Sequence, residues 1–592
     1  PAMPSLLDAP ALEFRSLEGD EGLGRLFRYA IELQTPDSAS LSDYVTANIP
    51  IKDLVGKEFS VAIELDGQGF GLGVGAGTRE INGFVTSARF VRSEERRAIY
   101  EVVIEPWLVL ATRTSDYKIF QNKTPLEIVR EVLADYGFPV EVRVSHSYPQ
   151  RIFQVQYGEE DFSFISRLME EFGIYYFFEH AGGAHRLVLV DDAGAHQPFA
   201  SAAYQTIRFQ AERIKIDEEY CNRFDVGDTL TSGAWVTDDF DFTKPKARLQ
   251  QTSKMPRKTG NNAQEMYRWP GDYADPEEGR TLARIRMEEA GAVGKRANGS
   301  GNLRAMVPGC TFRLQHHPQA SSNREWLIIG ATLSLQESGS ASGQATYSCE
   351  TRFYVQPAND TYRSPQRHPK PRTTGPQTAI VTGPPGQEIW TNEYGQVKLS
   401  FHWNRYCSKD QNSSCWVRVS YPWAGNGFGS IAIPRIGQEV IVDFENGDPD
   451  RPIVSGRVYN ALNMPPWALP ANATQSGVLT RSSMGGARGA GMKNGAGDAN
   501  ALRFEDKKGQ EQLWLHAQKD QLTEVEHDED KWVGNDRRKT IERDETSVIH
   551  RDRTETVDHD ETITIHHDRH EQVDGNEEVR IGGHHDLTVG PT

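Results

Sequence analysis

The residues of this 592-residue chain that could do chemistry are its histidines, its cysteines and its paired carboxylates. Seven of the 17 histidines gather late: His550, His559, His566, His567, His570, His584 and His585. No His-Glu-x-x-His zinc motif occurs, because His570-Glu571 is followed by Asp574. Around a symmetry axis, however, one histidine per copy becomes three. Three imidazoles suit Zn or Fe, and His584 and His585 are where such a metal would sit. The cysteines (Cys221, Cys310, Cys349, Cys407, Cys415) are odd in number, scattered and without zinc spacing. They read as free thiols, although Cys407 and Cys415 are near enough in sequence to close a local loop. Glu159/Glu160 and Glu170/Glu171 could in principle work as acid and base. At the two ends of an expected helix they read instead as solvated carboxylates, the first pair matching the helix dipole. No Gly-x-Ser-x-Gly elbow is present: Gly339 to Gly343 has Ala341 at its centre. Gly71, Gly73, Gly75 and Gly77 precede a strand pattern, so they form no dinucleotide fingerprint. Gly489 to Gly495 lacks the Gly-Lys-Ser/Thr ending of a phosphate loop. The expectation is a protein with no catalytic residue and no cofactor.

The elements that carry the late histidines are a repeat. Val525, Val533, Ile541, Ile549, Val557, Ile565, Val573, Ile581 and Val589 fall eight residues apart. Asp528, Asp536, Asp544, Asp552, Asp560 and Asp568 keep the same beat. So does a column alternating in sign: Glu529, Arg537, Glu545, Arg553, Glu561, Arg569, Glu577. Eight residues return a helical side chain about 80° off its starting face, so a helical stripe would smear. Eight is even, so an extended strand keeps one face at every repeat. The β-branched residues at the marked sites agree. Each octad is therefore one short strand and a corner.

One octad buries about one Val or Ile, worth roughly 1.5–3 kcal/mol. Ordering its eight backbones costs on the order of 8–16 kcal/mol. A single chain cannot close that gap, so several copies must wind together, with the Val/Ile column as the shared axis. Three copies fill a narrow axial layer best. The Glu/Arg column is expected to face solvent.

At 592 residues the chain is too long for one core, which implies three or more domains. The net charge of −18 is spread without a basic block, which excludes nucleic acid as a main partner. No apolar run reaches spanning length, and the first thirty residues lack a basic start followed by an apolar segment. The expectation is a protein made in the cytoplasm without a Sec-type address. Pro1-Ala2-Met3 reads as a remnant added to the native start.

Alternating runs at Leu26–Leu33, Phe59–Leu65 and Tyr100–Ile104 predict an antiparallel barrel. Thr124-Pro125 opens a helix to about Tyr136, stopped by Gly137. A second runs from Glu159 to Phe172, closed by Gly173. Ile174–Phe178 and Leu187–Val190 form a hairpin, and a third helix falls near residues 279–289. Pro365 to Pro376 is a Pro-rich linker. Strands at 396–403, 415–421, 429–433, 439–444 and 452–458, with Gly/Pro/Asn corners, suit a small closed barrel of the OB type.

That barrel segment carries a family likeness. Ser413-Ser414-Cys415-Trp416-Val417-Arg418-Val419, Trp423-Ala424-Gly425-Asn426-Gly427, Ile433-Pro434-Arg435-Ile436-Gly437-Gln438-Glu439-Val440 and Gly447-Asp448-Pro449-Asp450-Arg451-Pro452 are joined by Gly456-Arg457-Val458-Tyr459-Asn460. Asp161 to Glu170 and Leu502 to Glu511 are further matches. The chain resembles VgrG, the trimeric spike of bacterial type VI secretion systems, which is related to contractile phage tail hubs and spikes. It departs at Gln396, Asn404 and Ala501, where Arg, Asp and an acidic residue are usual.

The resemblance implies a mainly β fold in three parts. Residues 1–370 would form a hub of β-barrels with some helices. Residues 376–465 would form an OB-fold neck, and 466–592 an intertwined trimeric β-helix needle of octads. It further implies a homotrimer that pierces target membranes mechanically. The hexameric Hcp tube would sit at its base, a PAAR-repeat protein at its tip, and effectors would be delivered when a sheath contracts. Secretion would then be by the type VI system. The family's extra C-terminal effector domain is expected to be either absent or removed after Thr592. The competing reading is a contractile phage or pyocin-like tail spike with cell-wall hydrolase or receptor-binding activity.

Overall fold

The computed structural model describes residues 4–6, 9–37, 41–66, 76–94, 96–211, 219–338, 346–486 and 497–590. Pro1-Ala2-Met3, Gly71, Gly73, Gly75, the 339–343 segment and Gly489 to Gly495 lie outside the described residues. The chain divides into two units, 1–518 and 519–592.

The first unit is built on one long antiparallel sheet. Its strands are β1 (Glu13–Gly22), β2 (Arg28–Gln34), β3 (Glu58–Asp66), β4 (Ala76–Glu94), β5 (Arg97–Glu105), β6 (Cys221–Val226), β7 (Ala297–Gly301), β8 (Glu325–Ser338) and β9 (Thr346–Pro357). They run in the order β6-β7-β9-β8-β1-β2-β5-β4-β3. β5 is buried at Ala98, Ile99, Tyr100, Val102, Val103 and Ile104, so both its faces are covered, and its apolar run is nearly continuous for that reason.

Helix α1 (Pro125–Ala134) begins at a capping box in which Thr124 and Glu127 each satisfy the other's backbone N–H. Helix α2 (Asp161–Phe172) ends at Gly173, whose φ of +74° is the left-handed conformation a side chain resists. Helix α3 (Pro276–Val293) is longer than its sequence pattern suggests. Ile128, Val129, Val132, Phe164, Ile165 and Leu168 lock α1 and α2 into the same core as Tyr29, Ile31 and Val102 of the sheet. A smaller sheet, with Ala234–Thr237 between Gln251–Lys254 and Glu265–Arg268, packs on α3.

The OB-type barrel has the strand order Lys398–Phe401, Gln377–Thr382, Glu439–Phe444, Pro452–Val458, Arg418–Val419. Reciprocal hydrogen bonds between Val397 and Val417 (3.0 and 2.8 Å) join the two ends and close it. Its first strand, Gln377–Thr382, was not among the expected five. The expected strand at 429–433 leaves the barrel: Gly429–Ser430 pairs with Trp423–Ala424 in a separate hairpin. The barrel core of Ala379, Val381, Leu399, Phe401, Val440 and Val442 also takes in Phe153 and Val155 from before α2. Within 466–592, expected as needle throughout, Gln475–Leu479, Ala501–Glu505 and Gln512–His516 form a three-stranded antiparallel meander of a single chain.

In the second unit the octad is visible in the backbone. Bends recur at 526–527, 534–535, 542–543 and onward to 582–583, each just after a Val or Ile of the eight-residue column. Among the described residues, no backbone-to-backbone hydrogen bond forms within 519–590.

Candidate functional site

Two places in the molecule have geometry that calls for a function. The first is an ion cluster where barrel, linker and hub meet. Asp450 of the Gly447–Pro452 turn accepts from the backbone N–H of Val155 and from Gln154 Nε2, both at 2.7 Å. The next residue, Arg451, donates both ends of its guanidinium to Asp239 (3.0 and 2.6 Å), whose side chain has no exposed surface. Lys370, from the Pro-rich linker, places Nζ 2.6 Å from Asp450 and 2.7 Å from Asp448. Arg151 donates to Glu278 at 2.9 Å and to the Asp272 carbonyl at 2.7 Å.

The cluster is held by its internal charge balance. Burial disfavours the Lys370 ammonium, but Asp450, Asp272 and Asp448 outweigh it and hold its pKa above the ordinary lysine value. Burial likewise pushes Asp272 up, yet Lys370, Arg451 and Arg151 bring it below the ordinary aspartate value. For Asp448 burial wins and its carboxyl titrates high despite Lys370. Only the Asp448–Arg451 turn was visible in the sequence. Asp239, Asp272, Arg151 and Lys370 were missed, because they are remote in the chain and carry no shared spacing.

Of the carboxylates expected to be solvated helix ends Glu160 is exposed, while Glu159 and Glu170 are a correction. Glu159 is bound to the guanidinium of Arg167 through both oxygens, and the Arg167 side chain is buried. Glu170 is buried, accepting from the N–H groups of Arg367 and His368 (2.9 and 3.1 Å) and contacting the His368 ring at 2.8 Å. Both tie helix α2 to its surroundings: Glu159 to the preceding segment, Glu170 to the linker.

The thiols are chemically quiet. All five cysteines are free, so Cys407 and Cys415 close no loop. Burial pushes Cys221, Cys310 and Cys415 up to about 12 and Cys349 up to about 11. His185 and His196 are pushed down to about 4 and His180 to about 3, all chiefly by burial. His185 accepts from the Trp107 N–H at 2.9 Å and His180 from that of Asn82 at 3.0 Å, which fixes both as neutral packing groups.

The second place is the octad column. Val525 to Ile581 are each 43–51% exposed in one chain and Val589 is 80%. Apolar residues off that column, Trp532 at 91% and Val548 at 71%, stand further out. The Glu/Arg column is exposed in one chain, though less so than Trp532. Glu529, Glu545, Arg553 and Arg569 are 48–64% exposed. His584 lies 3.2 Å from Asp586 with both largely exposed, and His585 is exposed as well. Among the described residues, no group of three metal-ligating side chains forms within one chain. A metal at His584 and His585 would therefore draw its ligands from different copies.

An extended backbone whose N–H and C=O groups have no partner within the chain must find them elsewhere. Comparison with known proteins agrees. Residues 20–339 match the model for the phage tail baseplate hub (GPD). Residues 391–459 match that for the type VI secretion system/phage-baseplate injector OB domain. Residues 476–592 match the bacteriophage T4 gp5 C-terminal trimerisation domain. The type VI secretion system spike protein VgrG1b of Pseudomonas aeruginosa is 42% identical over 548 residues, which are 90% of this chain and 69% of the relative.

The chain belongs to the VgrG spike family. VgrG1c of the same organism is also 42% identical, over 90% of this chain and 71% of its own length. The solved structure of the E. coli c3393 protein, described as a type VI component similar to the T4 tail proteins gp27 and gp5, shares the fold. Its TM-score is 0.52 at 22% identity, over 76% of this chain and 97% of that one. As a VgrG, the chain is a subunit of a trimeric spike of mainly β architecture.

Proposed function

We propose that this VgrG works mechanically, as the piercing end of a type VI secretion apparatus, with no catalytic step of its own. Its hub would rest on the hexameric Hcp tube, and a PAAR-repeat protein would cap the far end. Effectors would travel with it when the sheath contracts, so that the spike leaves the cell by the type VI route rather than through a Sec signal. The observation that carries this reading is the fibre: some seventy residues that keep a fixed bend every eight and form no backbone hydrogen bonds of their own. Such a segment gains rigidity only from sister chains, and rigidity is what piercing needs. The raised thiols and neutral buried histidines support a role without acid–base or nucleophilic chemistry. A Francisella VgrG has been solved in complex with PdpA, and a longer Vibrio cholerae relative, 35% identical over 73% of this chain, is an actin cross-linking toxin. Cargo on this chain is proposed by analogy with those proteins.

The test joins light scattering on the full chain with secretion from a strain lacking the native spike. The expected result is a trimer that restores Hcp to the medium and releases no peptidoglycan fragments from sacculi. A monomer, or wall hydrolysis by the purified protein, would overturn the reading.

A further inference from the structure

Charge is sorted within each octad. The bend takes the first two positions after a Val or Ile of the axial column, and the next six are extended. Alternate residues of an extended stretch share a face. The fourth and sixth positions therefore share the face of the following Val or Ile, and the third, fifth and seventh take the opposite face. Between residues 529 and 579 the first face carries six acids against five bases. Between 528 and 588 the opposite face carries nine acids against two bases. Only the near-neutral face is suited to being covered by another protein chain.

Contacts within one chain follow the same division. Lys531 reaches Glu529 at 2.8 Å, Arg553 reaches Glu555 at 2.6 Å and Arg569 reaches Glu571 at 2.9 Å; Lys539 pairs with Glu545 of the next octad. All four pairs join the fourth and sixth positions, at 48–64% exposure. Pairs outside that face, His527–Asp528, Arg538–Asp536, His559–Asp560, His567–Asp568 and Arg580–Glu578, are 58–92% exposed.

The fourth position alternates in sign for seven octads, from Glu529 to Glu577. If strands of equal number lay side by side, glutamate would meet glutamate and arginine would meet arginine. The alternation is satisfied when each octad lies beside the next octad of a different copy, because strands about 4.8 Å apart then set opposite charges against each other. Glu561 is informative. Its sixth-position neighbour is Ile563, so its octad offers no base on that face, whereas Arg553 and Arg569 flank it one octad away.

We propose that the Glu/Arg column is a ladder between chains that fixes their stagger at one octad, the partner being a second copy of this chain. The proposal rests on the trimeric reading above. The test is disulfide trapping in the full-length protein, oxidised with copper phenanthroline, with oligomeric mass measured independently by light scattering. Glu561→Cys with Arg569→Cys in the same chain should give covalent trimers on a non-reducing denaturing gel, while Glu561→Cys alone and the unmodified protein should not. Cross-linking by the single variant as strong as by the pair would place equal octads together and overturn the ladder. So would a double variant that is trimeric by mass yet leaves no cross-link. A monomer by mass would remove the trimer and the ladder together. Charge reversal gives a second readout: Glu561→Arg, which sets arginine at the fourth position of three successive octads, should lower the melting temperature of the trimer more than Glu561→Gln does. Equal melting of the two variants counts against the ladder.

Discussion

Asp239 has no exposed side-chain surface, and both of its oxygens accept from Arg451, 212 residues further along the chain. Removing Asp239 leaves the part-exposed Arg451 with Asp272, 3.3 Å away, and takes the acceptor from the N–H groups of Phe240 and Asp272, a cost of about 1–3 kcal/mol. We expect Asp239→Ala to destabilise the first unit by that order, and an exposed control such as Glu393→Ala to leave it nearly unchanged. Chemical denaturation followed by tryptophan fluorescence would measure both. The buried histidines set an acid limit. His185 and His196 titrate at about 4 and His180 at about 3 when folded, against an ordinary value of 6.5. Between those values the unfolded chain binds more protons than the folded one. Stability is therefore full above pH 6.5 and falls as pH drops towards 4, by up to about 1.4 kcal/mol per pH unit for each histidine. Melting curves across that window should show the decline, and His185→Gln should flatten it. The Gly447–Pro452 turn could be picked out from its residues alone. Its partners could not, because an ion pair spanning two hundred residues leaves no mark on local spacing.

At the scale of elements, legibility followed the strength of local rules. α1 and α2 were placed from Thr124-Pro125 and from Gly173, since a cap fixes a helix end within a residue or two. The start of α2 was read two residues early because Glu159 and Glu160 finish the preceding strand. In the barrel, Gln377–Thr382 lay inside the expected neck but was not read as a strand, and Gly429–Ser430 went to a hairpin. Strand assignment there depends on pairing, which sequence alternation does not report. In the fibre the repeat gave the period and the apolar column, while the face of the Glu/Arg column needed the position of the bend. Ile565→Asp would set three carboxylates in one axial layer, each costing several kcal/mol if buried unpaired. We expect a weaker trimer, seen as dissociation at lower denaturant in sedimentation or light scattering. A fully stable trimer would contradict the axial placement.

The whole molecule is a concentration-dependent object. A fibre that lacks backbone-to-backbone hydrogen bonds of its own is stabilised chiefly by mass action between chains. Diluting the protein a hundredfold should lower the melting transition of residues 519–592, followed by hydrogen exchange. The core around Phe164, Leu168 and Val102 should keep its protection, because its contacts lie within one chain. The three-part division came from the family resemblance, and only the fibre as a unit of its own, 519–592, was legible from the repeat. The chain's attachment to other proteins was not, because every partner surface is completed by residues on another polypeptide.

The silent backbone of residues 519–590 also bears on how the spike is born. A ribosome that finishes one chain has made some seventy residues with nothing to fold against. They must wait, extended and open at both edges, until two more hubs have matured and met. Such edges invite wrong pairing, and the column of Asp at the third position of each octad from 528 to 568 is the kind of charge that keeps waiting strands apart. The order of manufacture is thus written into the molecule: heads first, then the braid.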